Sequence, residues 1–526
     1  MRLGLPGLSF PRLVSVAISA SAGVFALAAP GAALADNSHG PKIDDQVAAA
    51  AALTSSTTPI PVIVFGNQAA KQDPSLGDQR DLGIATAGTV PAGRLDAIAA
   101  DPNVAYVAPD LNVAPLARPA DRNAGSGAAA PDLKSLDALV DDAPAAWNAG
   151  YSGSGVGIAV VDSGVKGDAL GQRVIARTGV RQGEDTYGHG SLVASFAAGN
   201  VGGQYLGIAP QANVIDVAVG RGPDSTVWTS DVIAGLMWVL ANKDQYNIRV
   251  VNLSLTETAP SSYASSALDA VVELLWRSGI VVVSAAGNTG PDSEIFAPAN
   301  DPFAITVGAT DANGTADPSD DLLAPWSSYG MTLDGFAKPD LVAPGRLVTG
   351  YLPQGTVLAL QAPSQNWVDR QIVAISGTSF SAPQVSGAAA DILQAHPSWT
   401  PDQVKAALEG SARPQAGSNA PALDVGAAVA VSGSPSPANQ GIQYAAFGST
   451  PWVDALLNGM NGMAGWSRMA GWSRMAGWSR MAGWSGMNSM AGWSVHGMAG
   501  WSGMNGMAGW SGMNGMAGWS AAPWWS

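Results

Sequence analysis

The chain has 526 residues, of which 47% are hydrophobic and 12% are charged, and its formal net charge is −15. A chain of this length is expected to form two or more domains. Because it has no Lys/Arg block of the kind that binds phosphates, the sequence argues against a nucleic-acid partner. It has no cysteine, which excludes a disulfide scaffold and a thiolate metal site but indicates no compartment.

The first 35 residues have the three-part pattern of a secretory signal peptide. Arg2 and Arg12 come before or at the edge of an apolar stretch, Leu13–Ala29, and Ala33-Leu34-Ala35 supplies the small residues of a cleavage site. The alternative is an N-terminal membrane anchor, but the apolar stretch is shorter than the ~20 residues that a spanning helix needs. The pattern therefore predicts a secreted protein, either extracellular or associated with the cell surface.

Residues 36–120 have the pattern of a small α+β domain followed by a linker. Strands are predicted at Pro61–Phe65 and Val104–Val107, with a short helix at Ala92–Ala100 between them. The stretch Ala114–Pro131 is rich in Ala, Gly and Pro, a composition typical of an exposed linker. Composition alone predicts no more here than a small domain ahead of a larger one.

Residues 121–432 alternate between apolar runs and helical stretches. The runs are rich in Val and Ile and are bounded by Gly, Pro or Asn, as fully buried parallel strands usually are. They lie at Val156–Val161, Val214–Val219, Val250–Leu255 and Ile280–Ser284, and the helical stretches include Thr229–Ala241 and Tyr263–Arg277. We therefore predict an α/β fold, with a parallel central sheet and helices on both faces, in which the working residues cluster at the carboxyl ends of the strands.

The tail, residues 433–526, has low complexity. From Met463 onward the pentapeptide Met-Ala-Gly-Trp-Ser occurs eight times, at a spacing well below that of helical or propeller repeats. Gly and Ser disfavour a fixed structure, whereas regularly spaced Trp and Met side chains favour adhesion. We expect a tail without a core of its own that either stays a flexible extension or adheres to cell-wall carbohydrate, a membrane interface or another copy of the chain. Of these, we expect retention at the surface of the producing cell.

Three segments carry the residue types of acyl transfer. Val160-Val161-Asp162-Ser163-Gly164 places a carboxylate where a buried strand ends, and Gly188-His189-Gly190-Ser191 places an imidazole ahead of an apolar helix at Leu192–Ala198. Gly377-Thr378-Ser379-Phe380-Ser381-Ala382-Pro383 places a hydroxyl at a turn, with Pro383 suited to the first turn of the next helix. A serine becomes a strong nucleophile when an imidazole accepts its proton, and a carboxylate fixes the tautomer of that imidazole.

Each of these residues alone has a simpler explanation, such as a helix cap or a turn. In this order, however, the three segments resemble the signatures of the subtilisin-like serine peptidases. Further matches to that family lie in three segments: Val250–Leu255, Ala285–Asn288 and Pro339–Gly345. The resemblance covers about 290 residues and implies a triad of Asp162, His189 and Ser379. It also implies that the Asn288 side chain and the Ser379 backbone N–H bind the oxyanion.

The two triad motifs depart from the usual family pattern at several positions. Ser191, Leu192 and Ser195 replace Thr, His and Gly of the His motif, while Phe380 and Gln384 replace Met and His of the Ser motif. None of these changes removes a member of the triad.

The resemblance also implies which residues form the pocket for the side chain before the cut. Ser254, Leu255, Ala286 and Gly287 correspond to its walls. Thr256 replaces a Gly at its mouth, and Phe296 corresponds to its floor. We therefore expect a small pocket that favours small or medium apolar side chains.

These patterns together predict a secreted serine endopeptidase that cleaves itself from a precursor and acts on proteins or peptides. By the resemblance, the region 36–120 is an inhibitory propeptide. The chemistry requires no cofactor. Structural calcium sites occur in the family, but the resemblance assigns no calcium ligand in this chain. The alternative is a surface-binding protein in which the tail carries the function and the peptidase domain is vestigial.

Overall fold

The computed structural model describes residues 42–66, 70, 73–116, 134–179, 184–221, 226–291 and 294–444. The predicted signal peptide, most of the predicted linker and the pentapeptide repeats lie outside these ranges. None of the helices within them is long and apolar enough to cross a membrane.

The N-terminal unit is a four-stranded antiparallel sheet with two helices. Its elements in chain order are α1 (Asp45–Ala52), β1 (Pro59–Gly66), β2 (Gly77–Asp81), β3 (Ala85–Pro91), α2 (Leu95–Ala100) and β4 (Val104–Pro109). The strand order is β2-β3-β1-β4. The two strands and the helix predicted here lie where the sequence placed them, and a 3-10 turn at Ala92–Arg94 begins the helical stretch.

The remaining strands and helices belong to the larger unit, except that β5 comes from the chain ahead of it. The strands are β5 (Asn112–Pro115), β6 (Gly157–Asp162), β7 (Val174–Gly179), β8 (Asn200–Val201), β9 (Tyr205–Leu206), β10 (Asn213–Ala218), β11 (Val227–Trp228), β12 (Ile248–Leu253), β13 (Leu255–Glu257), β14 (Val281–Ala285), β15 (Ile305–Asp311), β16 (Leu322–Leu323), β17 (Gly330–Met331), β18 (Ala337–Lys338), β19 (Leu341–Pro344), β20 (Val348–Tyr351), β21 (Trp367–Asp369) and β22 (Ile372–Ile375). The helices are α3 (Leu136–Val140), α4 (Ala143–Asn148), α5 (His189–Ala198), α6 (Thr229–Asn242), α7 (Ala267–Arg277), α8 (Val357–Gln361), α9 (Thr378–Ala395), α10 (Pro401–Ser411) and α11 (Val425–Val429).

The core of the larger unit is an eight-stranded sheet in the order β16-β15-β14-β12-β6-β10-β7, with β19 also paired to β15. Only the β15–β16 pair is antiparallel among these described strands. Every residue of β6 and β14 is buried, because helices cover both faces of a parallel sheet. The predicted α/β fold is therefore confirmed.

Two predicted element boundaries are corrected. The helix predicted to begin at Tyr263 begins at Ala267, because the Ser266 side chain accepts a hydrogen bond from the backbone N–H of Asp269 and caps the helix there. The predicted linker from Ala114 loses its first two residues to β5, which ends at Pro115. Strand pairing with β11 and β13, which lie far along the chain, makes this segment extended.

Strand β1 joins the two units because both of its faces are buried. Alternate side chains of a strand point to opposite faces. Ile60, Val62 and Val64 pack with α1 and α2 in the core of the N-terminal unit, whereas Ile63 and Phe65 pack into the core that contains the large sheet. The N-terminal sheet therefore lies flat against the larger unit.

Polar contacts also cross this interface. Asp231, in the first turn of α6, accepts hydrogen bonds from Arg80 of the N-terminal unit and from Arg221. The Asp110 carboxylate accepts a hydrogen bond from the backbone N–H of Ser230 at 2.9 Å. Burial raises the pKa of Asp110 from 3.8 to about 6, although the Ser230 donors and Arg221 oppose that rise and Asp231 adds to it.

We predict that the N-terminal unit binds the larger unit less tightly as the pH rises. Asp110 titrates near 3.8 when it is free in water and near 6 when it is buried at the interface. The protonated form therefore favours association, and this stabilisation is lost as the pH rises through about 6. We expect the dissociation constant, measured by calorimetry on a chain cleaved between the units, to rise about tenfold or more from pH 4.5 to pH 7. Asp110→Asn, a neutral mimic, should flatten this dependence. An equal slope in both proteins would contradict the assignment to Asp110.

Candidate active site

Asp162 and His189 meet at the carboxyl edge of the large sheet. Asp162 is the last residue of β6 and His189 is the first residue of α5, and both side chains are buried. The Nδ1 atom of His189 lies 2.8 and 2.9 Å from the two carboxylate oxygens of Asp162. This geometry places the ring proton on Nδ1, so that Nε2 is the acceptor. Nε2 has no hydrogen-bond partner in the described part of the chain.

Ser379 lies near this pair, in the first turn of α9. The helices α5 and α9 pack against each other, and the ring of Phe380 lies 5.6 Å from the ring of His189. The Ser379 hydroxyl donates to the backbone carbonyl of Ser254 at 3.2 Å. The structure thus brings the three residues of the predicted triad to one place, with the serine hydroxyl turned to Ser254 and not to His189.

Helix α9 corrects the prediction for Pro383. The helix begins at Thr378, so Pro383 lies in its second turn and not in its first. Because proline has no N–H, it cannot bond to the carbonyl four residues earlier, which is that of Ser379. The Ser254 hydroxyl donates to that carbonyl instead, at 2.8 Å. The proline therefore frees a backbone acceptor through which the sheet holds the helix at the serine.

A buried chain of hydrogen bonds supports Ser254. The Ser386 hydroxyl donates to the Asn252 side-chain oxygen at 2.9 Å, and the Asn252 amide donates to the Ser254 hydroxyl at 2.9 Å. Ser386 belongs to α9 and Asn252 to β12, so the chain begins and ends on the helix that carries Ser379. Through the hydrogen bonds of these three side chains, the sheet fixes the position of that helix.

Asn288 lies where a donor can reach a bound peptide. Its side-chain oxygen accepts hydrogen bonds from the backbone N–H and the hydroxyl of Thr378, both at 3.0 Å. These two bonds orient the amide so that its Nδ2 donates to the backbone carbonyl of Leu116. No local sequence pattern links Thr378 with Asn288, because the two residues lie 90 positions apart in the chain.

Strand β5 lies in the cleft as an extended peptide. It pairs antiparallel with β13, where Ala114 lies opposite Thr256, and with β11, where Val113 lies opposite Val227. The N–H of Leu116 donates to the carbonyl of Ser254 at 3.4 Å. The segment 112–116 therefore runs between two strand edges and ends with its carbonyl at Asn288.

Three of the predicted pocket residues, Ser254, Leu255 and Thr256, lie along this peptide. Thr256 is buried, and its hydroxyl donates to the carbonyl of Ala297 at 3.2 Å, so its side chain is directed toward the segment that follows the half-buried Phe296. Gly287 has a positive φ of 116°, and its N–H donates to the Thr378 hydroxyl. The backbone carbonyl of Ser254 accepts a hydrogen bond from the N–H of Leu116 in the peptide, whereas the Ser254 hydroxyl donates to the Ser379 carbonyl in α9.

A small apolar pocket lies beside the triad, and the sequence analysis did not identify it. Leu255, Val219 and Val227 line it, together with Asp162, Ser163 and the peptide residues Val113 and Pro115. Among these residues, the resemblance assigned only Leu255 to a substrate pocket, because Val219 follows β10 and Val227 belongs to β11, which lie apart in the chain. Within the described ranges, no group of three or more His, Asp or Glu side chains could hold a metal ion.

Comparison with known proteins agrees with this geometry. The model of the subtilase family matches residues 153–472. The chain is similar to serine protease AprX of Bacillus subtilis, with 38% identity over 273 residues, covering 49% of this chain and 61% of that protein. It is also similar to subtilisin of Bacillus pumilus, with 35% identity over 281 residues, covering 51% of this chain and 88% of that one.

Among solved structures, the fold is similar to that of fervidolysin from Fervidobacterium pennivorans, described as a keratinolytic enzyme related to subtilisin. The TM-score is 0.56 at 22% identity, and the match covers 72% of this chain and 61% of that one. The chain thus spans less than two thirds of fervidolysin and of AprX.

Proposed function

The chain belongs to the subtilase family, and we propose that it is a serine endopeptidase that uses Ser379, His189 and Asp162. The observation that carries this proposal is the position of a peptide carbonyl, that of Leu116, at the Asn288 amide, in a cleft that also holds the buried Asp162–His189 pair. We propose that this carbonyl belongs to a peptide bond on which Ser379 and His189 act. The substrates we propose are accordingly proteins or peptides.

The proposed reaction begins when the Ser379 hydroxyl turns from the Ser254 carbonyl toward Nε2 of His189. His189 accepts the proton as the oxygen attacks the peptide carbonyl, and Asp162 stabilises the charged imidazole. The Asn288 amide and the Ser379 N–H stabilise the oxyanion. The Ser379 N–H lies in the first turn of α9, where backbone donors lack partners within the helix. His189 then gives its proton to the leaving amine, and water hydrolyses the acyl-enzyme by the same steps. The groups of the protein that act in these steps are side chains and backbone, and water is the second nucleophile.

We expect Ser379→Ala to abolish peptide hydrolysis in a folded protein. Asn288→Ala should lower kcat by about 10²–10³ with little change in KM, because the oxyanion bond forms mainly in the transition state. Initial rates on a chromogenic peptide measure both effects. Ser381→Ala is a matched control. Ser381 lies in the same helix turn as Ser379, but its hydroxyl donates to the Pro344 carbonyl and takes no part in the proposed chemistry. Unchanged kcat in Asn288→Ala would remove Asn288 from the oxyanion site.

We also propose that the chain ahead of the cleft, from residue 36, is an inhibitory propeptide that the enzyme removes by itself. Three contacts support this: β5 fills the cleft between β11 and β13, the Leu116 N–H reaches Ser254, and the Leu116 carbonyl reaches Asn288. We propose that the bond after Leu116 is the one that Ser379 cleaves. Whereas the sequence pattern extended this region to about residue 120, the strand register favours an end at Leu116.

The mature protein should accordingly begin at Ala117. N-terminal sequencing of the purified enzyme measures this directly. The Ser379→Ala precursor, expressed in a host without other proteases that process it, should keep its N-terminal unit, because the nucleophile for that cleavage is missing. Normal maturation of the Ser379→Ala precursor would show that another protease makes the cut.

The peptide in the cleft supports a preference for apolar substrates. Val113 and Pro115 contact the pocket formed with Leu255, Val219 and Val227, and Leu116 occupies the position before the cut. By the family resemblance, Thr256 and Phe296 add bulk around that position, which favours small or medium apolar side chains over aromatic ones.

A peptide series Val-Ala-Pro-X tests this preference. Wild type should favour Leu or Ala at X, and Phe296→Gly should raise kcat/KM for Phe and Tyr by about tenfold or more, because the added space admits the ring. Thr256→Gly tests the mouth of the pocket separately. An unchanged profile in Phe296→Gly would show that Phe296 does not form the pocket floor.

We further propose that the protein is secreted and that its tail holds it at a cell surface. These two points rest on the signal-like first 35 residues and on the Trp-rich repeats, all outside the described ranges. The surface-binding alternative with a vestigial peptidase domain is disfavoured by the intact Asp162–His189 pair. Calcium binding stays a prediction from the family resemblance.

A further inference from the structure

A buried carboxylate beside the triad takes no direct part in the proposed chemistry. Asp185 lies four residues before His189, in the segment that leads into α5, and its side chain is fully buried. We propose that Asp185 is a positioning residue that fixes Asp162 and His189 relative to each other. This inference rests on the proposed peptidase function of the same site.

Four donors converge on this carboxylate. One oxygen accepts the Ser163 hydroxyl at 2.9 Å and the backbone N–H of Gly188 at 2.6 Å. The other accepts both the backbone N–H and the hydroxyl of Ser191, at 3.0 and 2.6 Å. Ser163 follows Asp162 directly, while Gly188 and Ser191 flank His189. One side chain therefore holds the segments that carry both members of the pair.

Further hydrogen bonds extend this connection in both directions. The Ser163 hydroxyl, which donates to Asp185, accepts from the Gly190 N–H at 3.0 Å. The Ser191 hydroxyl, which also donates to Asp185, accepts from the Lys166 N–H at 3.0 Å. The Ser163 N–H donates to the Asp162 carboxylate at 2.7 Å. Each serine thus links the strand end at Asp162 to the helix start at His189, with Asp185 as their common acceptor.

The backbones of the segments that carry Asp162, Asp185 and His189 approach each other closely. A Cβ on Gly190 would lie 2.2 Å from the Gly164 carbonyl and 3.0 Å from Cβ of Asp162. A Cβ on Gly164, whose φ is +120°, would lie 2.5 Å from the Glu184 carbonyl. The three segments therefore touch through their backbones, and a loss of the polar bonds that hold them would move His189 relative to Asp162.

Position 185 requires a side chain with two hydrogen-bond acceptor oxygens. All four partners are donors, and two of them are backbone N–H groups that cannot reverse their role. An asparagine would place its NH₂ group against one of these N–H groups and break that bond. Burial raises the pKa of Asp185 above 3.8, but the donors from Ser191, Gly188 and Ser163 oppose the rise and favour the ionised form.

The first test is the kinetics of the mature enzyme with Asp185→Asn. We expect kcat to fall by about 10- to 100-fold while KM stays within about twofold, since misplaced catalytic groups slow the chemical step without removing contacts to the substrate. Asp391→Asn is the matched control. Asp391 is also a fully buried carboxyl, but neither of its oxygens has a hydrogen-bond partner among the described residues, so kcat should not change. A kcat for Asp185→Asn equal to that of wild type would overturn the inference.

Two variants of Ser191 test the same network if Asp185→Asn does not fold. Ser191→Ala removes a donor to Asp185 and the acceptor for Lys166, whereas Ser191→Thr keeps the hydroxyl. We expect Ser191→Ala to lower kcat and Ser191→Thr to restore it. Equal activity of Ser191→Ala and wild type would count against the network.

A measurement without catalysis separates this inference from the proposed function. In the Ser379→Ala precursor, the His189 Nδ1–H bonded to Asp162 should give a downfield proton NMR signal. Adding Asp185→Asn should shift or broaden that signal, whereas adding Asp391→Asn should leave it in place. An unchanged signal would overturn the positioning role even in an active enzyme. Lack of hydrolysis by wild type, with a signal that responds to Asp185→Asn, would instead overturn the proposed function alone.

Discussion

The buried hydrogen bonds between His189 Nδ1 and the Asp162 carboxylate are the constraint around which the site is built. Removing both groups from water is costly unless each is paired, so the fold must bring a strand end and a helix start together with little error. The close contact of Gly190 with Gly164 allows this approach, because any side chain there would separate the two backbones. The orientation of the imidazole, with Nε2 on the side of the ring away from Asp162, follows from these hydrogen bonds.

One residue, Ser254, contacts both Ser379 and the peptide segment in the cleft. The Ser254 hydroxyl donates a hydrogen bond to the Ser379 carbonyl, and the Ser254 carbonyl accepts one from the Leu116 N–H. A single residue therefore fixes Ser379 relative to the segment in the cleft. This arrangement depends on Pro383, which leaves the Ser379 carbonyl without its helical partner. Thr378 in turn orients Asn288, so the start of α9 carries Ser379 and also fixes the amide of Asn288.

The segment that follows the N-terminal unit, β5, lies in the cleft between β11 and β13. Strand β1 buries one face in its own core and the other against the larger unit, which fixes the direction in which β5 leaves the small sheet. Edge strands β11 and β13 would otherwise present unpaired backbone groups to water. Pairing with β5 satisfies them, so the backbone geometry that holds this peptide is the one that would hold an extended substrate.

The sequence by itself determined the α/β fold, the positions of the main strands and the identities of Asp162, His189, Ser379 and Asn288 as candidates. Buried strands leave continuous runs such as Val156–Val161, and the segments around the candidates carry distinctive local patterns. Only the tertiary structure decided which residues serve them. Asp185, Thr378 and Ser386 act through partners on other elements. The Ser379 carbonyl is held by Ser254, and Ala114 and Pro115 are extended because they pair with β13. Local patterns record propensity and periodicity, whereas hydrogen bonds between distant segments arise only when the sheet and helices have brought those segments together.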